Sequence, residues 1–317
     1  MASVPRAPSP SLGLQPRGWR SAAPFVVALA LMAYVLARVE WHAFLARLRS
    51  VDYPAFVGFM AAFVLALLGA DVLATVQVYR RSVGPVRFRD LLVVRGASYL
   101  PSLVNHHLGQ AWVTYLLSQV YRVPLARVTG ATLVVYASWG GCLLLLAVGG
   151  LASAGLPLAW TAAPLGLGVC YLVLLAIKPA RVAQHRLVAP LFETGVRGHL
   201  EAMALRMPHV VVLFLGTWVP FRFFDVAVPF GAALRSVPVI MVAVTLPLTP
   251  FGLGTRDALA ASFFEQYAVA GNHEQRLSAL AAATTTTALT IVLIDVVLGL
   301  LLLRPAARLL RAARPPD

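Results

Sequence analysis

Long apolar runs recur along the chain, and they constrain its fold more than any other feature. Six of them are 18 to 26 residues long, and a helix needs about 20 apolar residues to cross a bilayer. They are Ala22–Val39, Pro54–Tyr79, Val128–Gly150, Leu158–Ile177, His209–Phe230 and Leu280–Leu303. Only 12% of the 317 residues are charged, against about 25% in a soluble domain, which excludes a soluble enzyme. The sequence predicts an all-α integral membrane protein with about six transmembrane helices.

The ends of the chain differ in composition from the part between them. Residues 1–21 are rich in Pro, Ser and Arg and predict a disordered cytoplasmic arm. The run Ala22–Val39 is slightly too long for the apolar part of a signal peptide, and further runs follow it, so we interpret it as an uncleaved first span. The predicted domains are therefore the arm, a transmembrane domain over 22–303 and a basic cytoplasmic tail over 304–317.

Two further apolar stretches are interrupted by polar residues, Gly and Pro. Leu91–Tyr121 is broken at 101–110, and Val237–Val269 is broken at 247–257. Each stretch has little more than 30 residues, too few for two crossings and a turn. The breaks free backbone polar groups, which lipid cannot satisfy. We therefore expect two re-entrant helical hairpins.

The distribution of basic residues predicts an orientation. Eighteen of the 26 basic residues fall on one face if the N-terminus is inside, among them Arg206 in the 178–206 loop, whereas five fall on the opposite face and three within membrane segments. This bias predicts that both termini are cytoplasmic, in the cell inner membrane. The two hairpins then enter from opposite faces, an inverted-repeat-like plan with a site near the midplane.

The cluster Arg38, Arg47 and Arg49 lies on the less basic face. Trp41, Phe44, Leu45 and Leu48 recur beside it at helical spacing. This pattern predicts an interfacial helix.

The two breaks carry motifs that resemble a known family. Residues 246–258, LPLTPFGLGTRDA, resemble the PxxPgGlGxrE signature of the lysylphosphatidylglycerol synthase transmembrane-region family, also called flippase-like. Residues 105–110, NHHLGQ, resemble its NxxPgrxGe segment. Together with length and span count, the resemblance covers nearly the whole chain. It implies an integral membrane protein linked to moving phospholipid or polyprenyl-linked lipid across the bilayer.

The sequence departs from the family's pattern at several positions. Gln110 and Asp257 stand where members usually have Glu, and the Glu-Arg pair often found in the following helix is absent around Tyr136–Trp139. A charge pair of the family is therefore expected to be missing. Members that aminoacylate lipids carry a soluble transferase domain, which this sequence lacks after its last span, so we expect no such activity.

Arg256 and Asp257 follow Gly252 and Gly254 at the expected start of a half-helix. Backbone N–H groups, the helix dipole and the guanidinium can converge there on a lipid phosphate. Alternatively, Asp257 caps its helix while Arg256 pairs with it or extends toward the interface. Both readings stay open at this point.

Asn105, His106, His107 and Gln110 form a polar group at the first break. The histidines could hold a headgroup or relay protons. The alternative, which the sequence favours, is that the group satisfies the exposed backbone of the hairpin. A metal site is not expected, because no carboxylate or Cys lies nearby.

The remaining charges at membrane depth outline an intramembrane polar path, since such residues usually face the protein interior or a wet cavity. They are Asp71, Arg95, Arg222, Asp225 and Asp295. Arg222 and Asp225, three residues apart, are expected to pair with each other on a helix. Asp71 and Asp295 have no local partner, so each is either a protonatable group or bonded to a neighbouring helix.

The function predicted from these features is translocation of a lipid or lipid-linked precursor, with the anionic headgroup bound near the midplane. Two alternatives remain: a non-catalytic accessory or scaffold protein for a separate lipid-modifying enzyme or glycosyl transferase, and a membrane-embedded transferase acting on polyprenyl phosphate. The expected partner is a membrane phospholipid or polyprenyl-linked lipid, and nucleic acid is not expected. The chain has no recognised catalytic motif, and we expect no cofactor and no metal. The oligomeric state does not follow from the sequence.

Overall fold

The described part of the chain is helical. The computed structural model describes residues 41–153, 158–245, 254–269 and 271–313. Extended pairing within these residues is limited to an isolated bridge between Val226 and Ala268. The helices are α1 (Trp41–Ser50), α2 (Tyr53–Ser82), α3 (Phe88–Ala97), α4 (Tyr99–Ser102), α5 (His106–Tyr121), α6 (Leu125–Ser153), α7 (Leu158–Ile177), α8 (Ala180–Ala183), α9 (Ala189–Trp218), α10 (Phe230–Thr245), α11 (Thr255–Phe264) and α12 (His273–Ala312). Short 3₁₀ turns cover Val219–Phe224 and Glu265–Tyr267.

Four described helical segments are long and apolar enough to cross a membrane. They are Tyr53–Ser82, Leu125–Gly150, Ala189–Phe224 and His273–Ala312, and Ala162–Ile177 and Phe230–Thr245 form shorter apolar helices. The prediction of an all-α membrane protein is confirmed. The arm 1–21, the first predicted span Ala22–Val39 and the last residues of the tail, 314–317, lie outside the described residues.

The predicted fifth span, His209–Phe230, is wrong at both ends. The helical segment α9 already begins at Ala189, has a kink at Gly195 (φ 61°), includes Pro208 and ends at Trp218. The sequence does not predict the first half of this segment, because it contains Glu201 and Arg206, and charged residues are not typical of a transmembrane span. Glu201 pairs with Arg81 of α2, and Arg206 is 2% exposed, so Arg206 does not belong to a cytoplasmic loop.

The first interrupted stretch forms a helical hairpin. The helix α3 has 10 residues and α5 has 16, about 15 and 24 Å at 1.5 Å per residue, so neither spans the roughly 30 Å hydrocarbon layer. At the turn, Asn105 accepts a hydrogen bond from the backbone N–H of His107 (2.8 Å) and thereby caps α5. A Cβ on Gly109 would lie 1.8 Å from the Ser102 hydroxyl, so the close approach of the two arms requires glycine.

The second interrupted stretch has a similar plan. The helix α10 has 16 residues and α11 has 10. The two helices contact each other, and the break between them, 246–253, lies outside the described residues. Each stretch thus has one arm of 10 residues and one of 16, both too short to span the hydrocarbon layer. Their insertion into a bilayer remains a prediction.

Contacts between loops sort the helix ends into two groups. At one end, Arg127 pairs with Glu193 (3.0 Å) and donates to the carbonyl of Ser82 (2.6 Å), while Arg122 donates to the carbonyl of Ala313 (2.8 Å). These residues come from segments that the charge bias assigned to one face.

The opposite end is built from other segments. Arg47 of α1 pairs with Asp225, and Phe44 and Leu48 of α1 pack against the core, as expected of the interfacial helix. Glu265 accepts hydrogen bonds from His273 and Arg276, which hold the pKa of its carboxyl below the usual value. The grouping of loops agrees with the predicted topology, and which group faces the cytoplasm remains a prediction.

Cysteine labelling tests the orientation. The exposed residues Gln184 and Glu274 lie at the two opposite ends. In a background with Cys142 and Cys170 replaced by Ala, Gln184→Cys should react with a membrane-impermeant maleimide only after cells are permeabilised. Glu274→Cys should react in intact cells, because the less basic face is outside. Labelling of both positions from the same side would contradict the topology.

Candidate functional site

A buried carboxylate bridges two arginines in the middle of the helical domain. Asp71 lies more than ten residues from either end of α2 and is 8% exposed. Its Oδ2 accepts a hydrogen bond from Nε of Arg95 on α3 (2.7 Å), and its Oδ1 accepts one from Nη1 of Arg206 on α9 (3.2 Å). We call Asp71, Arg95 and Arg206 the ion cluster. Asp71 has no partner near it in the sequence, and both of its partners come from distant helices, α3 and α9.

Hydrogen bonds extend the ion cluster into the first hairpin. Arg95 Nη1 donates to Oε1 of Gln110 on α5 (3.4 Å), and Gln110 Nε2 donates to the hydroxyl of Tyr79 (3.2 Å). The chain continues from Tyr79 to Thr132 (3.1 Å) and from Thr132 to Thr114 (2.9 Å). Polar side chains thus connect α2, α3, α5 and α6 inside the protein. A buried ion pair, Asp71–Arg95, stands beside Gln110. It is a different pair from the Glu-Arg pair of the family, which the sequence lacks around Tyr136–Trp139.

Two polar atoms beside Asp71 have no partner. Arg206 Nε donates to the hydroxyl of Ser138 (3.3 Å), and its guanidinium lies 5.9 Å from the ring centre of Trp139. The ring of His209 meets the same Trp139 edge to face, with centroids 5.1 Å apart. Arg206 Nη2 and His209 Nδ1 are both buried and make no hydrogen bond with any described residue.

The ion cluster carries more positive than negative charge. Two guanidinium groups face one carboxylate among its hydrogen-bonded members. Arginine stays charged in proteins, so the imbalance cannot be removed by loss of a proton. A buried net charge in low dielectric is strongly unfavourable unless another group compensates it. Asp295 is a further carboxylate in electrostatic range of Arg95, but it forms no hydrogen bond with the cluster. By its hydrogen-bonded groups the cluster is therefore suited to bind an anion.

The structure gives Arg222 and Asp225 of the predicted polar path other partners than the ion cluster. Asp225 pairs with Arg47, and Arg222 lies over the ring of Trp218 at 5.4 Å, so the expected Arg222–Asp225 pair is wrong. The helix ends at Trp218, and Asp225 adopts a left-handed φ of 56°, which removes the helical spacing on which that pair depended.

Asp295 lies half-buried on α12, and no described residue forms a hydrogen bond with it. The expectation that a neighbouring helix supplies a bonded partner is therefore not met within the described residues. The other option, a protonatable group, remains a prediction.

The four polar residues of the first break, 105–107 and 110, do not form one cluster in the structure. Asn105, His106 and His107 are exposed at the tip, where Asn105 caps α5 and His107 lies 3.3 Å from the Tyr136 hydroxyl. Gln110 is buried and joins the ion cluster instead. The backbone-satisfying interpretation therefore describes Asn105, whereas Gln110 has a role in the interior.

At the second break, Asp257 caps its helix. Its Oδ2 accepts a hydrogen bond from the backbone N–H of Gly254 (2.8 Å), whose φ of 79° favours glycine. Arg256 Nη2 donates to the carbonyl of Thr284 on α12 (3.1 Å), and its buried Nε has no partner among the described residues. Gly252 lies outside the described residues. The capping role of Asp257 holds, and headgroup binding by Arg256 remains a prediction.

Sequence reasoning did not single out Arg206 or His209. Both lie at the edge of an apolar run, where the sequence predicts a loop for Arg206 and the start of a span for His209. The sequence nonetheless contained a signal. The four residues before Arg206 are Ala, Met, Ala and Leu, none of them charged, and Met207 follows it. An arginine in such surroundings three residues before a histidine is typical of a buried polar face on a helix.

Stability measurements on single variants test the charge arrangement. Asp71→Asn leaves two buried cations without a counter-charge and should lower the free energy of unfolding by about 3–5 kcal/mol. Arg206→Gln leaves the Asp71–Arg95 pair neutral and should cost only about 1–2 kcal/mol. Thermal unfolding of the purified protein in detergent measures both.

Asp295→Asn is the comparison variant, because it removes a carboxylate at membrane depth that lies in electrostatic range of Arg95 but has no hydrogen bond within the described residues. It should change stability little. Equal losses for Asp71→Asn and Arg206→Gln would contradict the charge arrangement.

Comparison with known protein families supports the resemblance in the motifs. The family model described as lysylphosphatidylglycerol synthase TM region matches residues 21–299. Comparison with curated proteins and with solved structures gave no significant match. The matched region includes both interrupted stretches, the ion cluster, three of the four described segments that could cross a membrane and the fourth, His273–Ala312, up to residue 299. Because the match covers most of the chain, the protein belongs to the family of lysylphosphatidylglycerol synthase transmembrane regions.

Proposed function

We propose that the protein binds the anionic headgroup of a membrane lipid and moves the lipid between the two leaflets. The observation that carries this proposal is the surplus positive charge of the ion cluster. A charged side chain at the centre of a bilayer costs about 2.5–3.5 kcal/mol or more, so it is retained where a function requires it. The phosphate of a lipid is an anion that is always present at the membrane and can reach such a site laterally.

The two interrupted stretches support movement as well as binding. The first contributes Arg95 and Gln110 to the polar interior, and the second contributes Arg256. Broken helices that enter from opposite faces are the arrangement with which many transporters surround a site near the midplane. A headgroup could pass between the arginines while the apolar tails stay in lipid. In this proposal the protein lies in the cell inner membrane with both termini in the cytoplasm.

Arg256 is the second anion contact in this proposal. It lies in the first turn of α11, where the positive end of the helix dipole favours an anion, beside Asp257, which caps the backbone N–H of Gly254. Its unpartnered Nε is consistent with a bound oxygen atom.

Reconstitution tests the proposal. Vesicles are prepared with the protein and with phosphatidylglycerol that carries a fluorophore on its tail. Dithionite added outside should quench the fluorescence of inner-leaflet lipid faster in these vesicles than in protein-free vesicles. Lipid affinity in detergent should fall roughly ten- to hundredfold for Arg256→Gln, since a hydrogen bond to a charged group is lost. Arg222→Gln, which removes an arginine outside the polar interior, is the control and should bind like the unmodified protein.

The result also separates transport from an accessory role. An accessory protein that holds a lipid for another enzyme needs only a lateral groove, so it would bind lipid without accelerating exchange between leaflets. The absence of both binding and exchange would overturn the proposal.

A further inference from the structure

We propose that Arg206 and His209 form the headgroup subsite, in which Arg206 binds the phosphate and His209 accepts a hydrogen bond from a hydroxyl of the same headgroup. The inference rests on the proposed lipid binding and names the part of the headgroup that the site recognises. It adds a subsite on α9 to the Arg256 contact on the second interrupted stretch.

The two side chains share one face of α9. Residues three apart on a helix are neighbours, and both side chains pack on Trp139 of α6. The inward direction of this face is clear, because Arg206 and Val210 are buried whereas Leu205, Met207 and Pro208 are exposed. Arg206 Nη2 and His209 Nδ1 therefore meet the same region beside Asp71.

The free atom of Arg206 is a donor. A guanidinium has only N–H groups, and its other two nitrogens already donate to Asp71 and Ser138. The remaining Nη2 is buried and has no acceptor among the residues that the structure describes. A phosphate oxygen satisfies this donor and also compensates the surplus charge, which a water molecule does not.

The free atom of His209 is an acceptor when the ring is neutral. Nδ1 is buried and has no partner among the described residues. We assign the ring proton to Nε2, because the ring also interacts with the backbone of Leu67 and a neutral ring has one donor for that contact. A neutral imidazole with a proton on Nε2 accepts at Nδ1. The occupant must therefore offer an anionic oxygen to Arg206 and an O–H or N–H group to His209.

A phosphodiester with a hydroxylated headgroup meets both requirements. Glycerol and sugar headgroups place a hydroxyl a few bonds from the phosphate. Choline has no hydrogen to donate to His209. Inorganic phosphate, as its monoanion, has the same two features, so the experiment must distinguish a lipid from the free ion.

Binding of short-chain lipids to the detergent-purified protein tests the assignment. The probes are dihexanoyl phosphatidylglycerol, dihexanoyl phosphatidylmethanol, which has the same charge but no hydroxyl, and inorganic phosphate. The unmodified protein should bind phosphatidylglycerol about three- to tenfold more tightly than phosphatidylmethanol, the effect of one hydrogen bond. Inorganic phosphate should compete only weakly.

Variants separate the two roles. Arg206→Gln should weaken binding of both lipids roughly ten- to hundredfold. His209→Leu should weaken only phosphatidylglycerol and bring the two lipids to equal affinity, and His209→Asn, which retains an acceptor, should restore part of the difference. Arg222→Gln is the matched control for loss of one positive charge, and thermal unfolding verifies that each variant is folded.

The outcomes distinguish this inference from the proposed function. If folded Arg206→Gln and His209→Leu bind both lipids as the unmodified protein does, the subsite is wrong while lipid binding stands. If the unmodified protein binds neither lipid, the proposed function is wrong. Binding of inorganic phosphate alone, with dependence on Arg206 and His209, would keep the anion site but overturn its assignment to a lipid.

Discussion

The carboxylate of Asp71 is the interaction on which the interior of this protein depends. It accepts hydrogen bonds from Arg95 and Arg206, which lie on separate helices. The loss of water around three charged groups is costly, and only their mutual attraction and further hydrogen bonds repay it. The contact therefore specifies how α2, α3 and α9 are placed relative to one another. It is a condition for the fold as well as the origin of the surplus positive charge.

The first hairpin is held through the same contact. Because α3 and α5 are too short to cross a bilayer, packing of a full span cannot anchor them. Arg95 and Gln110 instead attach both arms to Asp71 and Tyr79 of α2. Gly109 lets the arms approach closely enough for this arrangement. Polar contacts thus replace length as the reason why the hairpin stays in place, and they bring its polar residues toward a candidate binding site.

Arginines define the polar interior on both interrupted stretches and on α9. Arg95 donates to Asp71 and Gln110, whereas Arg206 and Arg256 each retain one buried nitrogen without a partner in the described parts of the chain. The first is held for structure, and the other two are available to a ligand in the functions proposed here. A planar guanidinium suits this task, since it can keep two hydrogen bonds within the protein and offer another to phosphate.

The sequence alone determined the helical membrane class, the spans that became α2, α6 and α12, the interruption of two stretches and the family. Each of these follows from local features, because span hydropathy, Gly and Pro positions and motifs are read within a short window. Tertiary structure decided the partners of the charged residues. Asp71 pairs with two arginines from distant helices, and Asp225 pairs with Arg47 rather than Arg222. Arg206 lies in the interior rather than in the predicted loop. An ion pair depends on which helices pack together, so no spacing along the chain could specify it.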